Sequence, residues 1–174
     1  MKTFFSYTLF ALLLSGLVTA QEETKAPEAK PTFERPKSRI DRLAQALTYP
    51  TISTQDPSLF PHEAFDAFEI YLENTFPKMH TQLKKEKYGK HGLLFTWPGS
   101  NSKLKPVLFM AHQDVVPVPN TETAQWLHPP FSGTISDGYL WGRGAIDVKS
   151  MLMVLCETAE ALLDKNYQPQ RTIY

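Results

Sequence analysis

Val107-Leu108-Phe109-Met110-Ala111-His112-Gln113-Asp114 is the stretch on which the fold turns. Its apolar run reads as a strand crossing a core, and it closes on an imidazole and a carboxylate where the chain leaves that core. Side chains of an extended segment alternate between faces, so His112 and Asp114 point the same way. One of them can bind a metal while the other holds and orients it. A second signature follows at Gly142-Arg143-Gly144-Ala145-Ile146-Asp147. Its Asp147 sits on a glycine-flanked turn before a helix and offers the carboxylate that a divalent cation needs beside a histidine. The pattern predicts half of a metal-hydrolase site, against the plainer alternative of a polar network that only satisfies hydrogen bonds.

Outward from these motifs, helical and extended segments alternate. Downstream, Lys149 to Leu163 carries Met151, Leu152, Leu155, Ala159, Leu162 and Leu163 and reads as a helix, with Glu157 and Glu160 on its solvated face. Cys156, within it, reads as a small buried hydrophobe and not a reactive thiol. Upstream, Leu93 to Trp97 is a buried-strand candidate, turned by Pro98-Gly99-Ser100-Asn101. Phe65, Phe68, Leu72 and Phe76 recur at helical spacing after Pro61, a core stripe that Pro77 ends. Ser38 with Asp41 resembles a capping box, opening a helix with Ile40, Leu43, Ala44 and Leu47 on one face. Tyr49-Pro50 ends it, since the residue before proline avoids helical geometry. A short strand is expected at Tyr139-Leu140-Trp141. The alternation predicts an α/β domain with a mostly parallel sheet flanked by helices. His112 and Asp147 fall just beyond strand candidates, where such sheets collect their chemistry.

The chain has 174 residues, with 18 Lys and Arg against 18 Asp and Glu. A formal net charge of zero argues against a nucleic-acid binder, which must neutralise phosphates. Met1 to Ala20, with Lys2 ahead of an apolar stretch and Val18-Thr19-Ala20 at its end, reads as a cleaved export signal in preference to a membrane anchor. The product is then expected to be periplasmic or secreted, or lumenal in a eukaryote, with no membrane span after cleavage. Residues 21–37, rich in Glu, Lys, Ala and Pro, read as a solvated linker. Residues 38–174 form the domain. Arg171-Thr172-Ile173-Tyr174 reads as the start of a further strand, so the chain is expected to be the N-terminal part of a longer one.

Gly142-Arg143-Gly144 opens like a dinucleotide-binding turn, but Asp147 replaces the last glycine and would meet a pyrophosphate with like charge. No Gly-Lys-Ser/Thr phosphate loop or Gly-x-Ser-x-Gly nucleophile turn occurs. Three ordered segments instead resemble the M20 metallopeptidases. They are Met110 to Val118, then Trp126 with His128-Pro129-Pro130-Phe131-Ser132-Gly133, then Asp137 to Lys149. Leu47-Thr48-Tyr49-Pro50-Thr51-Ile52-Ser53 and Thr96 to Ser100 are similar to the branch of carboxypeptidase S and N-acyl-amino-acid hydrolases.

The resemblance implies a partial di-zinc catalytic domain, without the lid domain that the family inserts later. It implies His112 as a ligand of one Zn2+ ion, Asp147 as the carboxylate bridging two, Asp114 as the residue that orients His112, and a cis peptide after Asp147. It implies zinc-dependent hydrolysis of a C-terminal peptide bond or an N-acyl amino acid, and a homodimer in the complete protein. The general base and remaining ligands are expected beyond Tyr174, so these residues alone should turn over little substrate. The competing readings are a non-catalytic remnant acting as a binding or interaction module, and a bare structural domain.

Overall fold

The computed structural model describes residues Glu34 to Tyr174. The expected export signal lies outside the described residues, as does the linker as far as residue 33.

Helix α1 (Arg39–Leu47) starts where Ser38 Oγ accepts the Asp41 amide at 3.0 Å, filling one of the donors a helix start leaves open. Pro61 precedes α2 (His62–Thr75), whose Phe65, Phe68 and Leu72 are buried together with Phe76 beyond its end. Pro77 does more than end α2: it opens a second short helix, α3 (Pro77–Gln82), at the first-turn position where a missing N–H costs nothing. Strands β1 (Lys84–Tyr88) and β2 (Gly92–Thr96) form an antiparallel hairpin with Lys84 opposite Thr96. A smaller hairpin joins β3 (Thr134–Ser136) to β4 (Tyr139–Trp141). Its Asp137-Gly138 turn has φ of 53° and 79°, the left-handed pair that matches strand twist. Helix α4 (Lys149–Asp164) then packs on α1 and α3.

The core gathers Phe68, Tyr71, Leu72, Phe76, Met79, Trp97, Met153, Cys156 and Leu163. Each large side chain removed from water there contributes about 1.5–3 kcal/mol. Cys156 is among them, and burial pushes its thiol up to about 12, as fits an inert core position.

Three expectations need correction or narrowing. Among the described residues the regular ladders are antiparallel, and the expected parallel sheet is represented by the isolated bridges Ile52 with Val115 and Val107 with Ile173. Val107 and Phe109 donate to the Thr172 and Tyr174 carbonyls at 3.0 and 2.8 Å, so the central run pairs with the last residues of the chain. Val107 and Ala111 are half-buried, whereas Leu108, Phe109 and Met110 are 57, 54 and 77% exposed. An interior strand of a parallel sheet has neighbours at both edges and layers above and below, and this run has one edge partner among the described residues.

The second correction concerns α4. Its buried stripe is Lys149, Met153, Cys156, Glu160 and Leu163, while Met151 and Val154 face out. Third, Glu157 and Glu160 do not form a solvated face. Glu160 is 4% exposed and accepts the Lys78 and Met79 amides at 3.1 and 2.8 Å, capping α3. Glu157 grips the Arg42 guanidinium with both oxygens. Glu160 is buried and Glu157 largely turned inward because a donor set from another element meets each carboxylate there.

Candidate metal centre

Two loops build the centre. The first is the extended segment Ala111 to Val115. Val115 N donates to Thr51 O at 2.8 Å and Ser53 N donates to Val115 O at 2.9 Å, a short parallel pairing with the strand-like residues after α1. Thr51, fully buried, adds a side-chain bond from Oγ1 to Gln113 O at 2.6 Å. On the other side Gln113 Nε2 donates to His91 O in the β1–β2 turn. With Gln113 tied on both sides, His112 and Asp114 project together into solvent.

The second loop is the turn Gly142 to Val148. Gly144 has φ of 87°, and a Cβ there would lie 2.7 Å from Val115 Cγ1. Only a glycine lets the turn lie directly on the first loop. The Asp147–Val148 peptide is cis, in line with the expectation drawn from the family. Two residues past Asp147, Lys149 is fully buried and donates from Nζ to Ala46 O at 3.0 Å and Tyr49 O at 2.7 Å. Its amine lies 4.5 Å from the centre of the Phe68 ring. Burial pushes the Lys149 pKa down to about 7.

The loops bring the three sequence-predicted residues together. His112 Nε2 lies 3.3 Å from Asp147 Oδ1. On its other side His112 Nδ1 is 2.9 Å from the Asp114 carbonyl oxygen and 3.2 Å from Asp114 Oδ1. Partial burial opposes a charge on His112, but the Asp114 carbonyl, the Asp147 carboxylate and both negative charges outweigh it and raise its pKa. The Asp114 oxygens are acceptors for a proton on Nδ1, and in a neutral ring that leaves Nε2 as the lone-pair atom on the Asp147 side.

That arrangement fits a zinc ion. Two donors at ~2.0–2.2 Å from one tetrahedral ion stand about 3.3–3.6 Å apart, a range whose lower end matches the spacing of these two atoms. An imidazole and a carboxylate are the ligand types zinc takes. A hydrogen bond across the same 3.3 Å needs a proton on Nε2, which the raised pKa of His112 favours, so proton and metal compete for one atom.

Sequence reasoning missed the residues that hold this centre. Thr51 and Lys149 were not singled out, because a threonine in a turn and a lysine at a helix start look ordinary until the chain closes around them. It also passed over Asp66, Glu69 and His91, whose ligand-type atoms lie within 4.8 Å of one another. There Glu69 already answers Lys87 at 2.6 Å and Lys85 at 3.5 Å, which occupies its charge.

Comparison with known proteins places the chain among relatives. Residues 108–174 match the model of the peptidase family M20/M25/M40. Carboxypeptidase S of Saccharomyces cerevisiae is 43% identical over 145 residues, covering 78% of this chain and 25% of that protein. The N-fatty-acyl-amino acid synthase/hydrolase PM20D1 of Mus musculus is 38% identical over 141 residues, covering 77% of this chain and 26% of that protein. Among solved structures, the M20 family metallo-carboxypeptidase Sso-CP2 of Sulfolobus solfataricus superposes with a TM-score of 0.59 at 27% identity, over 79% of this chain and 30% of that one. Human carnosine dipeptidase 1 shares the fold, with a TM-score of 0.57 at 22% identity over 78% of this chain and 30% of that one. The chain belongs to the M20 peptidase family. It spans about a quarter of the length of these curated relatives.

Proposed function

We propose that this chain carries part of the active site of a zinc-dependent amidohydrolase that cleaves a C-terminal peptide bond or an N-acyl amino acid. The observation that carries the reading is the approach of His112 Nε2 to Asp147 Oδ1 at 3.3 Å, from loops built by separate parts of the chain. His112 and Asp147 would hold the metal, with Asp147 shared between two ions. When bound, zinc lowers the pKa of a water and polarises the amide carbonyl. The chain's own residues prepare for that. Asp114 holds the imidazole in the tautomer with Nε2 free, and the His112 and Asp147 side chains are both open to solvent, from which a substrate would approach. We further propose an α/β catalytic domain whose parallel sheet extends from the Val107 to Phe109 pairing, and export of the mature protein by its N-terminal segment. No helix among the described residues is long and apolar enough to cross a membrane.

These residues alone are expected to turn over little substrate. A general base commonly contributes 10²–10⁴-fold, and no further carboxylate faces Asp147 among the described contacts. Zinc binding by chelator competition, followed by hydrolysis of an N-acyl amino acid, tests the proposal. His112→Ala and Asp147→Asn should each weaken zinc binding at least tenfold in this chain. Unchanged binding in both variants would remove the metal centre, whereas strong hydrolysis by this chain would remove the division of the site.

A further inference from the structure

The two loops of the centre share an anchor. After α1 the chain runs Ala46-Leu47-Thr48-Tyr49-Pro50-Thr51-Ile52-Ser53, and this one stretch receives bonds from both loops. Lys149 Nζ, on the Asp147 side, donates to the Ala46 and Tyr49 carbonyls at 3.0 and 2.7 Å. On the His112 side, Thr51 Oγ1 donates to Gln113 O at 2.6 Å, Val115 N to Thr51 O at 2.8 Å and Ser53 N to Val115 O at 2.9 Å. Thr51 and Lys149 are both fully buried. Neither side chain touches the centre itself, and their own bonding accounts for their burial only if the loops are tied down.

We propose that Ala46–Ser53 is the positioning element of the metal centre, with Thr51 setting His112 and Lys149 setting Asp147, so that one segment fixes the gap between the two donors. The inference rests on the zinc reading above and names how that site is held. A donor pair must be placed within about 0.5 Å for tight binding, and residues on mobile loops need outside support to reach that. Here the support comes from a part of the chain that supplies no ligand. Thr51→Val keeps the shape of the side chain and removes the hydroxyl, so Gln113 O loses its buried donor. Lys149→Met keeps the length and releases the Ala46 and Tyr49 carbonyls.

The test is carried out on the full chain with zinc alone, and with cobalt as a coloured substitute. Thr51→Val and Lys149→Met are expected to weaken zinc binding about 10–100-fold, the usual loss when a supporting partner is removed. The visible spectrum of bound cobalt should change with them, and Thr51→Ser should restore both readouts. A residue that supported only folding would lower thermal stability without moving the cobalt spectrum of the folded fraction. Should the variants fail to fold, amide exchange in the unaltered chain decides the matter. Coupling between sites is reciprocal, so zinc must slow exchange at the Val115 and Ser53 amides. Wild-type zinc affinity and cobalt spectrum in Thr51→Val, or unchanged exchange on adding zinc, overturns the positioning role. Failure of the unaltered chain to bind zinc overturns the zinc reading instead.

Discussion

At the scale of single residues, Asp114 bears most directly on how the centre behaves. It touches His112 Nδ1 twice, through its carbonyl and its carboxylate. Asp114→Asn preserves the carbonyl contact and the shape but removes the negative charge that makes the imidazole more basic. Zinc affinity is expected to fall about 10–100-fold, measured by chelator competition, with the fold unchanged by circular dichroism. The pH profile has a definite sign. The raised pKa of His112 means that protons compete for Nε2 from above its ordinary value of 6.5. Zinc affinity should therefore decline as pH falls through that raised value, and the decline should move to lower pH in Asp114→Asn, where the proton is held less firmly. An unshifted midpoint would mean that Asp114 does not tune the imidazole.

Elements were legible in the sequence wherever apolar spacing was strong. The stripe Phe65, Phe68, Leu72 and Phe76 places α2, and Ser38 marks the start of α1. β1 left no such signal: its sequence is Lys84-Lys85-Glu86-Lys87-Tyr88, and it exists because β2 offers it a hydrogen-bonding edge and Glu69 pairs with Lys85 and Lys87. The inward turn of Glu157 and Glu160 was equally hidden, since α3 and Arg42, which receive them, lie far away in sequence. Glu160 acts at this scale by joining α4 to the N-terminus of α3, where the helix dipole favours its charge. Glu160→Ala leaves the Lys78 and Met79 amides without their acceptor, and a buried orphan donor costs about 1–3 kcal/mol. Denaturant unfolding should show a loss of that size, while zinc binding stays within about twofold because the bonds of Glu160 run to α3 and not to the loops of the centre. A loss confined to a few tenths of a kcal/mol would show that solvent can replace the carboxylate.

For the molecule as a whole, the meeting of His112 with Asp147 depends on the path of the entire chain, and periodicity cannot foresee it. The sequence motifs marked the two loops, but the distance between them is set by Gly144 lying on Val115 and by the shared anchor after α1. Global stability carries a pH dependence from the same closure. His80 is half-buried on α3, with Nδ1 2.9 Å from the Phe76 carbonyl and its ring edge-on to Phe95. Burial lowers its pKa below 6.5, and that outweighs the carbonyl, which favours the charged ring. Between 6.5 and the lowered value, the unfolded chain takes up a proton that the folded chain refuses, so stability falls as pH drops through this window and is unaffected above it. His91, also lowered by burial, acts in the same sense. His112, raised, acts in the opposite one. His80→Leu should accordingly flatten the loss of stability below pH 6.5 without abolishing it, read as the midpoint of denaturant unfolding at each pH. If the slope is the same with leucine at this position, the ring is not held neutral by the core, and the acid sensitivity of the molecule arises elsewhere.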